Sequence, residues 1–396
     1  MILVGIDVAK NKHDCLITNS DGEILANSFT IPNSLEGFQS LCSKILACST
    51  NDSQIKIGLE ATGHYSNNIS EFLLNKNFPV FIINPLHTSL YRKSQSFRKT
   101  KTDKLDTHTI CSMLQTQKLT PYAPVSYHSQ ELKSLTRYRF RLVDECSKLK
   151  VSFSRLMTII FPELEPIIKN IQVNSVYHLM KKWPSAKEIS KCHLSTLTNL
   201  LITNSKGHYR MEKAIIIRDA AKNSIGTCTP MQSLELVQTI DRILLLRSQI
   251  SVIEENIECI MKQIDSPMTT IPGISTQTAA VIYAEVGDFS RFSSAEKILA
   301  FAGMEPSVYQ SGEYSSTHGK MVKRGSKYLR RTLFLAAENV SHREPSFAAY
   351  LAKKRSEGKH YNVAISHVAK KLLRTIYAME EKHQAYHASD CRQSGS

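Results

Sequence analysis

The sequence predicts an α/β protein that becomes mainly helical after its first third. Three observations carry that prediction. Short Ile-, Leu- and Val-rich runs bounded by turn residues open the chain, helix-spaced and strand-like runs then alternate, and from Gln130 onward the apolar spacing stays helical. Residues 2–8, 13–19 and 23–30 read as strands, with Asn19-Ser20-Asp21-Gly22 turning between the second and third. A helix follows from Ser34 to Ala47, where Leu35, Phe38, Leu41 and Ile45 recur at helical spacing. Ile55–Glu60 reads as a strand, Tyr65–Lys76 as a helix and Pro79–Ile83 as a strand. A meander followed by such alternation implies a mixed sheet. The pattern turns helical again in KTDKLDTHTICSML, Lys101–Leu114.

Gln130–Phe161 reads as a basic helix, and residues 162–230 as short helical pieces broken by Pro162, Pro166 and Pro184, with one helix from Tyr209 to Ala221. In the long helix Leu234–Ile264, Leu246, Ile250, Ile253, Ile257, Ile260 and Ile264 alternate steps of four and three, a heptad seam. Either the 130–161 helix or a second subunit would cover it, unless it is an ordinary core helix. Ile271-Pro272-Gly273-Ile274 resembles the turn of helix-hairpin-helix modules, which offer backbone N–H groups to phosphates. The tail from Lys382 is polar. The domain division this suggests is 1–125, 126–265 with an insertion at 162–230, 266–380, and a tail at 381–396.

With 396 residues, 42 % of them apolar, the chain has room for a sizeable core. Its 50 Lys and Arg against 35 Asp and Glu give a net charge of +15, which favours a polyanionic partner, nucleic acid first. No run approaches the ~18 apolar residues a membrane span needs, and no secretory leader is evident. The expectation is a cytoplasmic, nucleoid-associated protein. Nine cysteines, none in a C-x-x-C pair, argue for reduced structural thiols over a disulfide framework or zinc.

Asp7 stands inside an apolar strand among Ile2, Leu3, Val4, Ile6 and Val8, where a carboxylate needs a partner. Glu60 ends another strand, and Asp103 and Asp106 lie three apart on a helix, about 60° from each other on one face. Four such acids suit divalent ions, Mg²⁺ or Mn²⁺, of the kind phosphodiester chemistry uses. For that pair alone the plainer reading, Asp103 as a helix cap and Asp106 as a solvated side chain, is the favoured one, and Asp7 shifts the balance. Lys101 and Lys104 flank the pair. Between Glu313 and Glu338 there is no acid, yet Lys320, Lys323, Arg324, Lys327, Arg330 and Arg331 occur among Gly and Ser, a composition suited to close approach to a phosphate backbone.

The order of strands and acids resembles the ribonuclease-H-like layout of Holliday-junction resolvases. The segments GIDVAK (Gly5–Lys10), LEATGHY (Leu59–Tyr65) and KTDKLDT (Lys101–Thr107) resemble the DEDD motifs of the IS-one-ten family of insertion-sequence transposases, shared by Piv-type DNA invertases. IPGI, LAFAGMEP, QSG and KRGSKYLRR resemble that family's C-terminal domain. Departures are small: Met304 for the usual Leu, Thr107 for Ala, Ser326 for Asn. The resemblance implies a RuvC-like domain, a coiled-coil linker, and a mainly α C-terminal transposase domain whose nucleophilic serine corresponds to Ser311. It also implies donor and target DNA, an element-encoded structured guide RNA, and a homo-oligomer, dimer or tetramer. Without the resemblance Ser311 reads as a turn serine before Gly312. Two rival functions stay open: a resolvase-type endonuclease using water, and a non-catalytic nucleic-acid-binding protein, to which a buried Asp7 would bring nothing.

Overall fold

The computed structural model describes residues 1–49, 54–61, 63–95, 103–122, 127–306, 310–311, 314–315 and 321–388. At 103, 104, 127, 310, 311, 314 and 315 the description stops at the backbone. The chain divides into two compact units, Met1–Pro124 and Val125–Ser396.

In the first unit alternation along β1 (Ile2–Val8) decides the layers. Ile2, Val4, Ile6 and Val8 point to one side of the sheet, into a core shared with Phe38, Leu41 and Ile45 of α1 (Leu35–Ala47) and Ile69 and Leu73 of α2 (Ser66–Asn75). Leu3 points to the other side and packs with Ile110, Met113 and Leu114 of α4 (Asp103–Thr116). Each fully buried Ile or Leu contributes roughly 1.5–3 kcal/mol, so these two stripes hold the layers together. The sheet runs β3-β2-β1-β4-β5. β2 (Lys12–Asn19) and β3 (Ile24–Pro32) extend β1 as an antiparallel meander, while β4 (Ile55–Glu60) and β5 (Val80–Ile83) continue it in parallel. These elements match the sequence reading to within a residue or two at their ends. One helix was not anticipated, α3 (Pro85–Gln95), in which Thr88 alone is fully buried and Tyr91 packs half-buried on the core.

α4 lies close on the sheet because two glycines open a path for it. Gly5 and Gly58 pair in register on β1 and β4. A Cβ on Gly5 would stand 2.4 Å from the Thr107 carbonyl oxygen and 2.8 Å from Cys111 Sγ, and one on Gly58 2.7 Å from Ile110 Cγ2. Gly5→Ala should therefore force α4 off the sheet. A loss of about 1–3 kcal/mol should appear as a lower melting temperature in thermal denaturation, although no acid has been touched.

In the second unit α5 (Tyr127–Ile160) pairs with α11 (Pro230–Ile264). The ion pairs Arg155–Glu235, Arg242–Glu145 and Arg139–Glu254 run in opposite directions along the two helices, so the pairing is antiparallel. Leu246, Ile253, Ile257 and Ile260 are buried in the core these helices share. The heptad seam thus finds its partner within its own chain. It lends no support to subunit contact, for which it had been a candidate. Between the two helices residues 162–230 form five short helices: α6 (Leu164–Ile167), α7 (Asn174–Lys182), α8 (Ala186–Lys191), α9 (Leu194–Asn204) and α10 (Met211–Lys222). Beyond α11 come α12 (Thr276–Val286) and α13 (Ala295–Phe301). A two-stranded ribbon follows, β6 (Gln310–Ser311) with β7 (Tyr314–Ser315), and then α14 (Lys327–Arg343), α15 (Pro345–Ser356) and α16 (Tyr361–Lys382). One core extends from Leu132 to Met379. Among the described residues the cysteines are unpaired and no helix is long and apolar enough to cross a membrane.

Candidate active site

Ile6 pairs with Leu59 in parallel, so the next residues, Asp7 and Glu60, reach one end of the sheet at the same level. Neighbouring strands are about 4.8 Å apart. Asp7 shares a sheet face with Gly5, and Glu60 with Gly58, which is the face α4 covers. The Cys111 thiol lies 3.9 Å from the Leu3 carbonyl, whereas the Thr107 carbonyl lies over Gly5. α4 therefore runs against β1, its N-terminus pointing to the end where Asp7 and Glu60 stand. Asp106 and the Asp103 backbone continue in that direction. The Asp103 and Lys104 side chains, and Lys101 altogether, lie outside the described residues.

Two of the acids are held by α3. Thr88 Oγ1 shares its one proton between Glu60 Oε2 at 3.1 Å and the Pro85 carbonyl at 2.9 Å, and one turn later Arg92 pairs with the buried Asp106. Across β1 from Asp7 stands a further carboxylate, Asp14, which accepts from Thr30 Oγ1 at 2.5 Å and pairs with Lys12 at 3.4 Å. Sequence reasoning missed Thr88, Arg92 and Asp14. The i,i+4 spacing of Thr88 and Arg92 just ahead of Asp106 was the available signal for the first two.

In the second unit Ser311 pairs through its backbone with Tyr314, while its side chain and Lys320 lie outside the described residues. The basic loop ends in Ser326, the N-cap of α14, whose Oγ accepts from the Leu329 N–H at 3.1 Å and donates to Glu285 at 2.7 Å. Glu285 is buried and also accepts two bonds from Arg137, at 2.6 and 3.0 Å. Burial alone would push its carboxyl up, but the bonds from Arg137 and Ser326 and the charges of Arg137 and Lys133 hold it below the usual range. Burial pulls the Lys133 ammonium down, with Glu285 opposing. Glu285 was another omission; an acid among Val281, Ile282, Ala284 and Val286 carried the same signal as Asp7.

The basic residues differ in what they are free to do. Arg330 donates to the Ala302 carbonyl at 2.9 Å, and Arg331 pairs with Asp144 at 3.2 Å and covers the Phe140 ring. Lys323, Arg324 and Lys327 are exposed. Lys323, Lys327, Arg330 and Arg331 line a groove of about 440 Å³ with Phe334 and Leu335. Gly273 has φ +101°, and a Cβ there would meet the Asn339 carbonyl oxygen at 2.9 Å, so packing on α14 by itself requires a glycine.

A family model described as a transposase, the DEDD domain of the IS110 type, matches residues 4–162. A second, described as transposase IS116/IS110/IS902 family, matches residues 265–352. The chain belongs to the IS110/IS116/IS902 transposase family. It is 26 % identical over 385 residues to the pilin gene-inverting protein of Moraxella lacunata, covering 97 % of both chains. It is also 26 % identical over 262 residues to an uncharacterised protein of insertion element IS110 from Streptomyces coelicolor, covering 63 % of this chain and 62 % of that one. This IS110-family chain is a DNA transposase, an enzyme of recombination.

The DEDD domain of the IS110 family points to a divalent metal ion. Asp7, Glu60, Asp103 and Asp106 offer carboxylate oxygens alone, the donors a hard divalent cation takes. The backbone of β1, β4 and α4 carries Asp7, Glu60 and Asp106 toward one end of the sheet, so these residues fit the ion in donor chemistry. Among the described residues no three His, Cys, Asp or Glu side chains already converge; Glu60 and Asp106 are turned to Thr88 and Arg92 instead.

Proposed function

We propose that the first unit is a ribonuclease-H-like, RuvC-type domain whose Asp7, Glu60, Asp103 and Asp106 hold Mg²⁺ or Mn²⁺, and that Ser311 is the nucleophile of strand exchange. The observation that supports this reading best is the arrival of Asp7 and Glu60 side by side under the N-terminus of α4. When bound there, a divalent cation stabilises charge developing on the phosphate and favours ionisation of an adjacent hydroxyl.

The chain's own groups do the rest. Ser311 gives up its hydroxyl proton, Oγ bonds to phosphorus, and the displaced deoxyribose oxygen leaves with a proton. Reversal by a hydroxyl of another strand rejoins the DNA and frees Ser311, conserving the phosphodiester without ATP. Lys101, Lys104, Lys320, Lys323, Arg324 and Lys327 are assigned to phosphates, with Arg330, Arg331 and Gly273 shaping the surface around them. The DEDD acids and Ser311 meet on one phosphate either within a subunit or between subunits of a dimer or tetramer. A structured RNA encoded with the element selects donor and target, and the work is done on the nucleoid in the cytoplasm.

The test is trapping. Incubated with Mg²⁺, guide RNA and target DNA, then denatured in detergent, the protein should carry covalently bound DNA on a gel. Ser311→Ala should abolish that species and strand exchange together. Cleavage that survives Ser311→Ala with no adduct would instead establish the water-using endonuclease.

A further inference from the structure

We propose that α3 is docked onto its unit by two of the carboxylates assigned to the metal, so that α3 docking and divalent-ion binding compete, with Arg92 as the exchanged counter-charge. This rests on the reading of the four acids given above.

α3 is unusual in how it is held. Thr88 is its one fully buried residue and Tyr91 is half-buried, while Leu86 and Leu90 are 42 % and 52 % exposed. A surface helix ordinarily binds its layer through an apolar stripe. Here polar contacts, Thr88 to Glu60, Arg92 to Asp106, and the Tyr91 hydroxyl to Ser112 and Thr116 of α4 at 2.7 and 2.9 Å, act beside a single apolar one, the half-buried Tyr91 ring packed on the Leu3 and Ile110 cluster. The first two end on acids of the proposed metal set, from two different elements.

Asp106 is only 10 % exposed through its side chain, so its charge needs compensation at all times. Arg92 supplies it in the structure. A divalent cation on the same carboxylate makes the guanidinium surplus and repels it. Once released, its planar fork suits a phosphate group. Glu60, drawn to the cation, likewise gives up Thr88. Coupling of this kind is reciprocal: what α3 costs the cation in affinity, the cation costs α3 in docking. Arg92 is thereby a positioning residue, keeping Asp106 compensated until the ion arrives.

The experiment uses the full chain. Mn²⁺ binding is followed by the electron paramagnetic resonance of the free ion, and Mg²⁺-dependent docking by hydrogen exchange of the backbone amides of residues 86–95. Arg92→Gln should bind Mn²⁺ roughly fivefold tighter than the wild type. Arg92→Lys, which keeps the charge, should stay close to wild type. Saturating Mg²⁺ should speed exchange in α3 and leave α1 unchanged. A purely structural ion pair would lower the melting temperature of Arg92→Gln but give no Mg²⁺ effect on α3 exchange. Unchanged exchange, or equal Mn²⁺ affinity of the wild type and a folded Arg92→Gln, overturns the proposal. Should Arg92→Gln not fold, exchange in the wild type decides. If the wild type binds no Mn²⁺, or Asp7→Asn binds it equally well, the assignment of the acids fails first and takes this inference with it.

Discussion

Asp7→Asn will leave the protein folded and eliminate strand cleavage, with a loss of at least ~10³-fold. Asn matches Asp in shape, so the β1 pairing with β2 and β4 survives and the melting temperature stays near that of the wild type. The charge is lost, and with it the one acid carried by the central strand between α4 and Glu60. Because the acids act as a unit, adding Glu60→Gln to Asp7→Asn should cost little more. Gel assays of strand cleavage beside circular-dichroism melts separate chemistry from folding. Cleavage within tenfold of wild type in a folded Asp7→Asn would remove Asp7 from the site and undo the four-acid reading.

What the sequence discloses about this fold depends on whether a segment is held by apolar contacts. β1 was legible because Ile2, Val4, Ile6 and Val8 alternate with Leu3, Gly5 and Asp7, and that same alternation made Asp7 conspicuous. α1 and α11 were legible because their buried stripes have a helical period. α3 has no such stripe; a threonine, an arginine, a tyrosine hydroxyl and that one tyrosine ring make its contacts, and apolar periodicity is blind to polar groups and a single aromatic. β6 and β7 span two residues each, too short for any alternation to register. Around KRGSKYLRR, charge counting treated every cation as available, yet Arg330 and Arg331 are engaged within the second unit. Such pairing depends on residues more than twenty positions away, and nothing local announces it. The heptad seam was read correctly as a seam, but its partner within or outside the chain was a question of tertiary packing.

Glu285→Ala carries the largest expected effect on stability. The side chain is 1 % exposed and gathers Arg137 of α5 and Ser326, the cap of α14, so its removal uncouples two elements at once. Breaking a buried ion pair costs roughly 3–5 kcal/mol, and about 3 is expected here because Arg137 is 42 % exposed and recovers some hydration. Glu285→Gln, which keeps the shape and an acceptor for Ser326, should lose less. The effect should depend on pH in one direction. The folded carboxyl is held below its ordinary value of 4.5, so its contribution is complete above that value and is lost as pH falls through the folded value. Melting temperatures of wild type and Glu285→Ala should therefore lie far apart at pH 7 and converge in acid below 4.5. A gap that persists unchanged in acid would show that lost packing, not lost charge, destabilises the variant. The functional consequence follows from position. With Ser326 no longer anchored, the first turn of α14 and the neighbouring Lys323 and Arg324 lose their fixed placement. Nucleic-acid affinity should then fall in Glu285→Ala even at temperatures where the protein remains folded, although Glu285 itself is too deeply buried to reach a phosphate.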